Sequence, residues 1–207
     1  MIVSYKHNYI YIRPKKTGSS TIEAVLSRSL GPGDLIAGKH TGLDRQRLDA
    51  AHVDCLDMVS GHITAEEIRS LVTPKFWEQA YKFASERHPY EKAVSMAYYR
   101  LAQRGLSADD FPPVLDKTVR TGEYRGFDHY HIGGMLVVQD FIRLETLEDD
   151  LRRVCAHIGA KIPRRLPRKK GMPRLDRRPA REILSPRQRN KVIKNCCEEF
   201  DLFGYKR

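Results

Sequence analysis

The stretch Tyr9 to Leu26, YIYIRPKKTGSSTIEAVL, carries the pattern that decides the fold. Its first residues alternate Tyr and Ile, which is typical of a strand. Two lysines and a Thr-Gly-Ser-Ser turn follow, and the stretch ends in an apolar helical run. A strand that leads through small residues into a helix is a common way to bind a phosphate, because the loop and the helix start present backbone N–H groups to one anion.

Strand-like and helix-like segments alternate along the rest of the chain. β-rich runs predict strands or hairpins at 2–5, 8–13 and 80–85, and a further strand at the end of 133–144. Apolar spacing predicts helices at about 21–30, 64–72, 90–103, 109–119 (alternatively a mobile lid), 146–158 and 185–200. Capping boxes are predicted at Ser20-Thr-Ile-Glu23, Thr64-Ala-Glu-Glu67 and Ser185-Pro-Arg-Gln188. This alternation favours an α/β fold with a mainly parallel sheet.

Composition and charge limit the class of protein and of partner. The 207 residues are 41% hydrophobic and 30% charged, which is typical of one globular domain with a core of its own. Lysine and arginine number 37 against 26 acidic residues, so the formal net charge is +11. We therefore expect an anionic partner such as a nucleotide, an acidic glycan, a nucleic acid or a membrane surface.

The cysteine pattern and the hydropathy point to a cytoplasmic protein. The four cysteines form no C-x-x-C pair, and they are Cys55, Cys155, Cys196 and Cys197. This is neither a zinc pattern nor a disulfide framework, and it favours a reducing compartment. The first residues contain no apolar leader segment, and no window approaches the roughly 18 apolar residues of a membrane span.

In residues 15–21, here called the phosphate loop, the lysines precede the glycine, whereas in the common nucleotide-binding loop the lysine follows it. A Walker A loop reads G-x-x-x-x-G-K-[ST], whereas Lys15 and Lys16 here precede Gly18. No Walker B acid follows an apolar strand, so metal-dependent ATP chemistry has no support in the sequence. The pattern predicts an anion-binding loop for a ligand whose transferred group needs no metal. The alternative is a capped Ser/Thr-rich turn beside a solvated lysine pair.

A second pattern lies at the end of the strand predicted at 80–85. Arg87 precedes a helix that begins with Pro89, where its guanidinium could bind a phosphate through two hydrogen bonds. Ser95 lies about two turns further along that helix. The alternatives are a structural ion pair for Arg87 and an ordinary helix serine for Ser95.

Together these segments resemble the sulfotransferase superfamily, and its carbohydrate (glycan) O-sulfotransferase branch in particular. The strand, the Lys-Thr-Gly-Ser-Ser-Thr turn and the helix resemble its 5′-phosphosulfate loop. Arg87-His-Pro-Tyr, with Ser95 eight residues after the arginine, resembles its 3′-phosphate motif. Residues 141–151 resemble its R-x-E-x-L-x-x-D-L segment, and 199–205 resemble its D-x-x-x-F-G-Y ending. Lys15 stands where proline is usual, and His88 stands where asparagine or aspartate is usual.

The resemblance implies a P-loop-NTPase-like three-layer α/β fold over residues 1–207 as a single domain. It also implies transfer of a sulfuryl group from 3′-phosphoadenosine 5′-phosphosulfate (PAPS) to a hydroxyl of a carbohydrate or glycolipid, with no metal required. Lys16 would stabilise the transferring group, with Lys15 as the adjacent candidate. The 5′-phosphate would be held by Lys15, Lys16, Thr17, Gly18, Ser19, Ser20 and Thr21. The 3′-phosphate would be held by Arg87 and Ser95, with Lys170 closing over it.

The resemblance also selects a general base among eight histidines. Ser60-Gly61-His62 resembles the G-H-[VIL] segment of glycan O-sulfotransferases, whose histidine is the proposed base. His62 is therefore the expected base. His52 and the pair His129 and His131 are the alternatives.

Two other functions compete with sulfotransfer. One is an ATP- or GTP-dependent phosphotransferase of related fold. The other is a basic nucleic-acid-binding protein, which the net charge alone supports because no nucleic-acid-reading motif is present. The basic segment 164–181 is a solvated loop, a cover for the nucleotide or a track for an anionic glycan.

Overall fold

The computed structural model describes residues 1–38, 43–167 and 176–207. The chain divides into two compact units. The first comprises Met1–Glu86 and Asp128–Lys170, and the second comprises Arg87–Phe127 and Gly171–Arg207. Each unit has an apolar core formed by its own residues.

The first unit is built on a six-stranded sheet whose order is β4-β3-β1-β2-β5-β8. Its strands are β1 (Ile2–Ser4), β2 (Tyr9–Ile12), β3 (Leu35–Ala37), β4 (Asp54–Leu56), β5 (Tyr81–Glu86) and β8 (Asp140–Arg143). β1 runs antiparallel to β2 and β3, whereas the pairs β3–β4, β2–β5 and β5–β8 are parallel. β6 (His131–Ile132) and β7 (Met135–Leu136) form a separate hairpin. The predicted α/β fold with a mostly parallel sheet is therefore confirmed.

The first unit has five α-helices among its described residues, and three of them contribute to the core on the sheet. The five are α1 (Ser19–Leu26), α2 (Arg45–Ala50), α3 (Ala65–Arg69), α4 (Pro74–Gln79) and α7 (Leu147–His157). Alternate strand residues point to one face and meet α1, α2 and α7 there. Buried members of this core include Ile2, Tyr9, Tyr11, Ile36, Phe83 and Ile142 from the strands and Ile22, Val25, Leu48, Leu151 and Val154 from the helices.

The start of α1 corrects one sequence prediction. The N-cap residue is Gly18, in a left-handed conformation and with no side-chain capping hydrogen bond, so the capping box predicted at Ser20 was wrong. Glu23 does not reach back to the helix start because it forms an ion pair with Arg13 at 3.1 Å. The capping boxes at Thr64 and Ser185 are confirmed.

The second unit is helical. Its helices are α5 (Pro89–Gln103), α6 (Phe111–Thr121), α8 (Ala180–Ile183), α9 (Pro186–Asn195) and α10 (Cys197–Phe203). The single helix predicted at 185–200 is divided at Cys196, whose φ of −130° and ψ of 31° leave the helical region. Cys196 ends α9 through its N–H and starts α10 through its carbonyl.

No helix within the described parts of the chain has both the length and the apolar character needed to cross a membrane.

Candidate functional site

The predicted phosphate loop and His62 lie at the same edge of the sheet. The loop follows the carboxyl end of β2, and His62 follows the carboxyl end of β4, which runs in the same direction as β2. Gly61 packs against Gly38 just beyond the end of β3, and a Cβ on Gly61 would lie 2.9 Å from the Ala37 carbonyl oxygen. The carboxyl edge of parallel strands is where α/β proteins bind their ligands.

The loop turns through two residues with positive φ. Lys16 has a φ of 64° and Gly18 has a φ of 76°. A non-glycine residue in the left-handed region costs about 1–2 kcal/mol, so the backbone at Lys16 is strained. At Gly18 a Cβ would lie 2.5 Å from Cδ1 of Leu144, so another residue there would have to displace the Leu144 side chain as well as adopt a positive φ. Strain of this kind is concentrated at binding and catalytic sites.

Thr17 joins the loop to the sheet through its buried hydroxyl. Oγ1 of Thr17 donates to the carbonyl oxygen of Pro14 at 3.0 Å and lies 2.7 Å from Oγ of Ser85. Ser85 in turn lies 2.9 Å from the hydroxyl of Tyr11. Because each hydroxyl has one proton, the chain of donation runs from Tyr11 through Ser85 and Thr17 to Pro14. Any contact of Thr17 with an anion must therefore come from its backbone N–H.

Arg13 connects the end of β2 to the first turns of α1. Its Nε donates to Oγ of Ser19 at 2.9 Å, and its second terminal nitrogen lies 3.4 Å from Oγ of Ser20. The remaining nitrogen forms the ion pair with Glu23. The Arg13 and Glu23 side chains are only 11% and 6% exposed. The helix start is thus held by a buried, charge-assisted contact.

His62 is bonded to the backbone at the point where β2 leads into the loop. Its Nδ1 lies 2.8 Å from the carbonyl oxygen of Arg13. A carbonyl oxygen can only accept, so Nδ1 carries the proton and Nε2 of the neutral ring carries the lone pair of a base. Burial, and secondly the charge of Arg13, lowers the pKa of His62 to about 3. The ring is neutral near pH 7, but it is a weak base in the free protein.

The alternative histidines occupy different places. His52 comes just before β4 and so lies at the opposite edge of the sheet from the loop. His129 is in the neighbourhood of His62, because its charge contributes to the lowered pKa of that residue. His131 is in β6.

In the second unit, Arg87 lies just before α5 and Ser95 lies within it. Arg87 donates to Glu91 at 2.8 Å in an i,i+4 ion pair, and Glu91 also accepts from the N–H of Ala180 at 3.0 Å. The ion pair named above as the alternative for Arg87 is therefore present. Ser95 is half-buried in the middle of α5.

His88 caps α5. Its Nδ1 accepts from the N–H of Tyr90 at 3.2 Å, and Nε2 lies 3.1 Å from the carbonyl oxygen of Lys206. Asparagine and aspartate at this place would supply the same kind of acceptor. The departure from the family motif at His88 thus preserves the cap.

No family model, curated protein or solved structure matches this chain.

Of the predicted site residues, the first unit brings together residues 15–21 and His62. Arg87 and Ser95 belong to the second unit, and Lys170 lies outside the described residues. Across the described ranges, no group of three or more His, Cys, Asp or Glu residues could hold a metal ion. Sequence reasoning missed Arg13 and Glu23. The signal for them was a lone acid inside an apolar helical stretch, ten residues after an arginine at a strand end.

Proposed function

We propose that this protein is a sulfotransferase that moves a sulfuryl group from PAPS to a hydroxyl of a carbohydrate or glycolipid. The observation that carries the proposal is the bond between His62 and the residue that leads from β2 into the predicted phosphate loop, 2.8 Å from Nδ1 to the carbonyl oxygen of Arg13. It combines a phosphate-binding loop with a neutral base whose Nε2 holds the lone pair. We further propose a P-loop-NTPase-like three-layer fold, one domain over residues 1–207, and a cytoplasmic location.

Each part of the loop would have a separate task. Backbone N–H groups of residues 17–20 at the start of α1 would bind the 5′-phosphate, with Thr21 contributing its hydroxyl because its N–H already donates to the carbonyl oxygen of Gly18 at 3.0 Å. The ammonium group of Lys16, or of Lys15 beside it, would stabilise the negative charge on the sulfuryl group and on the departing phosphate. Because the sequence has no Walker-B-like acid, we assign this charge stabilisation to lysine.

The 3′-phosphate distinguishes PAPS from ATP. We assign it to Arg87 and Ser95 on the strength of their eight-residue spacing, and Lys170 would add a further cation. Binding would require Arg87 to exchange part of its contact with Glu91 for the phosphate, which offers a doubly charged acceptor for the same donors.

The chemical step needs one proton transfer at His62. The acceptor oxygen attacks sulfur, the bond between sulfur and the bridging oxygen of the 5′-phosphate breaks, and Nε2 of His62 takes the hydroxyl proton. The products are the sulfate ester and 3′-phosphoadenosine 5′-phosphate (PAP). A bound anion beside His62 favours the imidazolium form, so we expect donor binding to raise the pKa of this weak base toward neutrality.

Two measurements test the proposal. Calorimetry should show that PAP binds without Mg²⁺ and more tightly than ATP. A screen of PAPS with carbohydrate acceptors, followed by mass spectrometry, should then show addition of sulfate. Lys16→Ala and His62→Ala should lower turnover by roughly 10²–10⁴-fold, with PAP affinity retained in His62→Ala.

Other outcomes identify the competing functions. Tighter binding of Mg·ATP than of PAP would indicate a phosphotransferase. Binding to nucleic acid that falls steeply with salt and is not competed by PAP would indicate a nucleic-acid-binding protein. Full activity of His62→Ala would remove His62 as the base.

A further inference from the structure

We propose that Arg13 is a positioning residue, which holds His62 in the tautomer required of a base and fixes it against the phosphate loop, with Glu23 as its counter-ion. The inference rests on the proposed function for its purpose. Its physical content, the state of the His62 ring, can be measured without any ligand.

The first step concerns the backbone of Arg13. Its carbonyl oxygen accepts from Nδ1 of His62, a residue 49 positions away in the sequence. Arg13 precedes Pro14, and a residue before proline is restricted to extended conformations. This restriction narrows the directions open to the Arg13 carbonyl, and in our proposal the contacts of the Arg13 side chain with α1 hold it within that range.

The second step concerns the side chain of Arg13. Its donors reach Ser19, Ser20 and Glu23, which all belong to the first turns of α1. A planar guanidinium can bridge several acceptors at fixed angles, which an ammonium group cannot do. The same residue therefore fixes the strand end to the helix that follows the phosphate loop and, through its carbonyl, fixes the base.

The third step concerns the charges that face His62. These are Arg13, the amine of Met1 and His129, and each disfavours the imidazolium form when it is itself charged. Burial lowers the pKa of the Met1 amine to about 5, so this amine is neutral near pH 7. Arg13 is the strongest of the three and follows burial in effect. Glu23 balances the charge of Arg13, so the guanidinium stays in place while the ring beside it remains neutral.

The test is nitrogen NMR of the His62 ring in the protein of 207 residues, which distinguishes Nδ1–H from Nε2–H. In the wild type we expect Nδ1–H. In Arg13→Met, which keeps the apolar stem, we expect a mixture of tautomers and an upward shift of the His62 pKa. The matched control is Arg45→Met, which removes exposed ion pairs with Asp49 and Asp57 in the same unit and should change neither quantity.

A conservative variant separates charge from geometry. Arg13→Lys keeps the positive charge, so the pKa of His62 should stay low. It loses the planar guanidinium that bridges several acceptors on α1, so the His62 tautomers should still become mixed. Arg13→Lys also serves if Arg13→Met fails to fold. Unchanged tautomer and pKa in a folded Arg13→Met would overturn the inference, as would full restoration of the wild-type tautomer by lysine.

Kinetics separates this inference from the proposed function. If sulfotransfer is found, Arg13→Met should lower kcat by roughly 10- to 100-fold through misplacement of the base, with a smaller change in PAP affinity. If PAP does not bind the wild type at all, the proposed function fails while the ring measurement still decides the role of Arg13.

Discussion

The strained backbone at Lys16 predicts an unusual order of stability at two adjacent lysines. Lys16 has a φ of 64°, whereas Lys15 has no positive φ. Replacement by alanine removes the ammonium group and keeps the strain, and replacement by glycine removes both. At position 16, glycine should therefore be more stable than alanine by about 1 kcal/mol, the left-handed penalty less the added freedom of the unfolded chain. At position 15, alanine should be more stable than glycine by about 0.4–1 kcal/mol.

The measurement is urea unfolding of the four variants, with thermal midpoints as a second readout. For a chain of this size, about 1 kcal/mol corresponds to a shift of roughly 2–4 °C. The rate of sulfate transfer from PAPS should also be measured for the four variants. Both variants at position 16 should lose this activity, whereas those at position 15 should keep more of it. The reasoning is refuted if alanine equals or exceeds glycine in stability at position 16. Equal losses of activity at both positions would show that neither lysine acts alone.

Three further predictions concern the same part of the first unit. Glu23→Gln leaves a buried Arg13 without its counter-charge, so we expect a loss of about 1–3 kcal/mol in urea unfolding, and a loss below about 0.5 kcal/mol would show the pair to be marginal. Gly18→Ala should cost about 2 kcal/mol or more, because it combines a φ of 76° with a steric overlap, whereas Gly33→Ala has the same φ and open space and should cost only about 1–2 kcal/mol; equal costs would contradict the overlap. The unfolded chain binds a proton at His62 near its ordinary pKa of 6.5, and the folded chain binds it only near 3. Stability should therefore fall as the pH drops below 6.5, and this fall should be smaller in His62→Asn, as measured by urea unfolding at pH 7 and pH 5.

Sequence reasoning succeeded where structure is local and failed where a distant partner decides it. The strand, loop and helix of residues 9–26 follow from apolar spacing and turn chemistry, and all three are present. The helix start was wrong because Ser20 and Glu23 satisfy a capping pattern within three residues, whereas Glu23 is bound by Arg13 across the loop. An ion pair across a loop is stronger than a cap that competes with backbone geometry.

The candidate site shows the same division. His62 was selected from a resemblance in a short segment, and its contact with residue 13 spans 49 positions that no local pattern encodes. Its lowered pKa has burial as the first cause, which depends on the assembled sheet edge. The break at Cys196 was likewise hidden, because residues on both sides have helical spacing.

Because of the series of hydrogen bonds from Tyr11 through Ser85 and Thr17 to Pro14, the conformation of the phosphate loop depends on residues outside the loop. Two of the four residues in this series lie in the sheet, one in β2 and one in β5, and each of its three hydroxyl protons is already donated to the next oxygen. If residues 13–21 were grafted onto another strand and helix, the buried Thr17 hydroxyl would lose the hydrogen bond that Ser85 donates to it. Such a graft should therefore keep the loop conformation only when Tyr11 of β2 and Ser85 of β5 are transferred with it. The unit that determines the loop conformation is thus the pair of strands together with the loop.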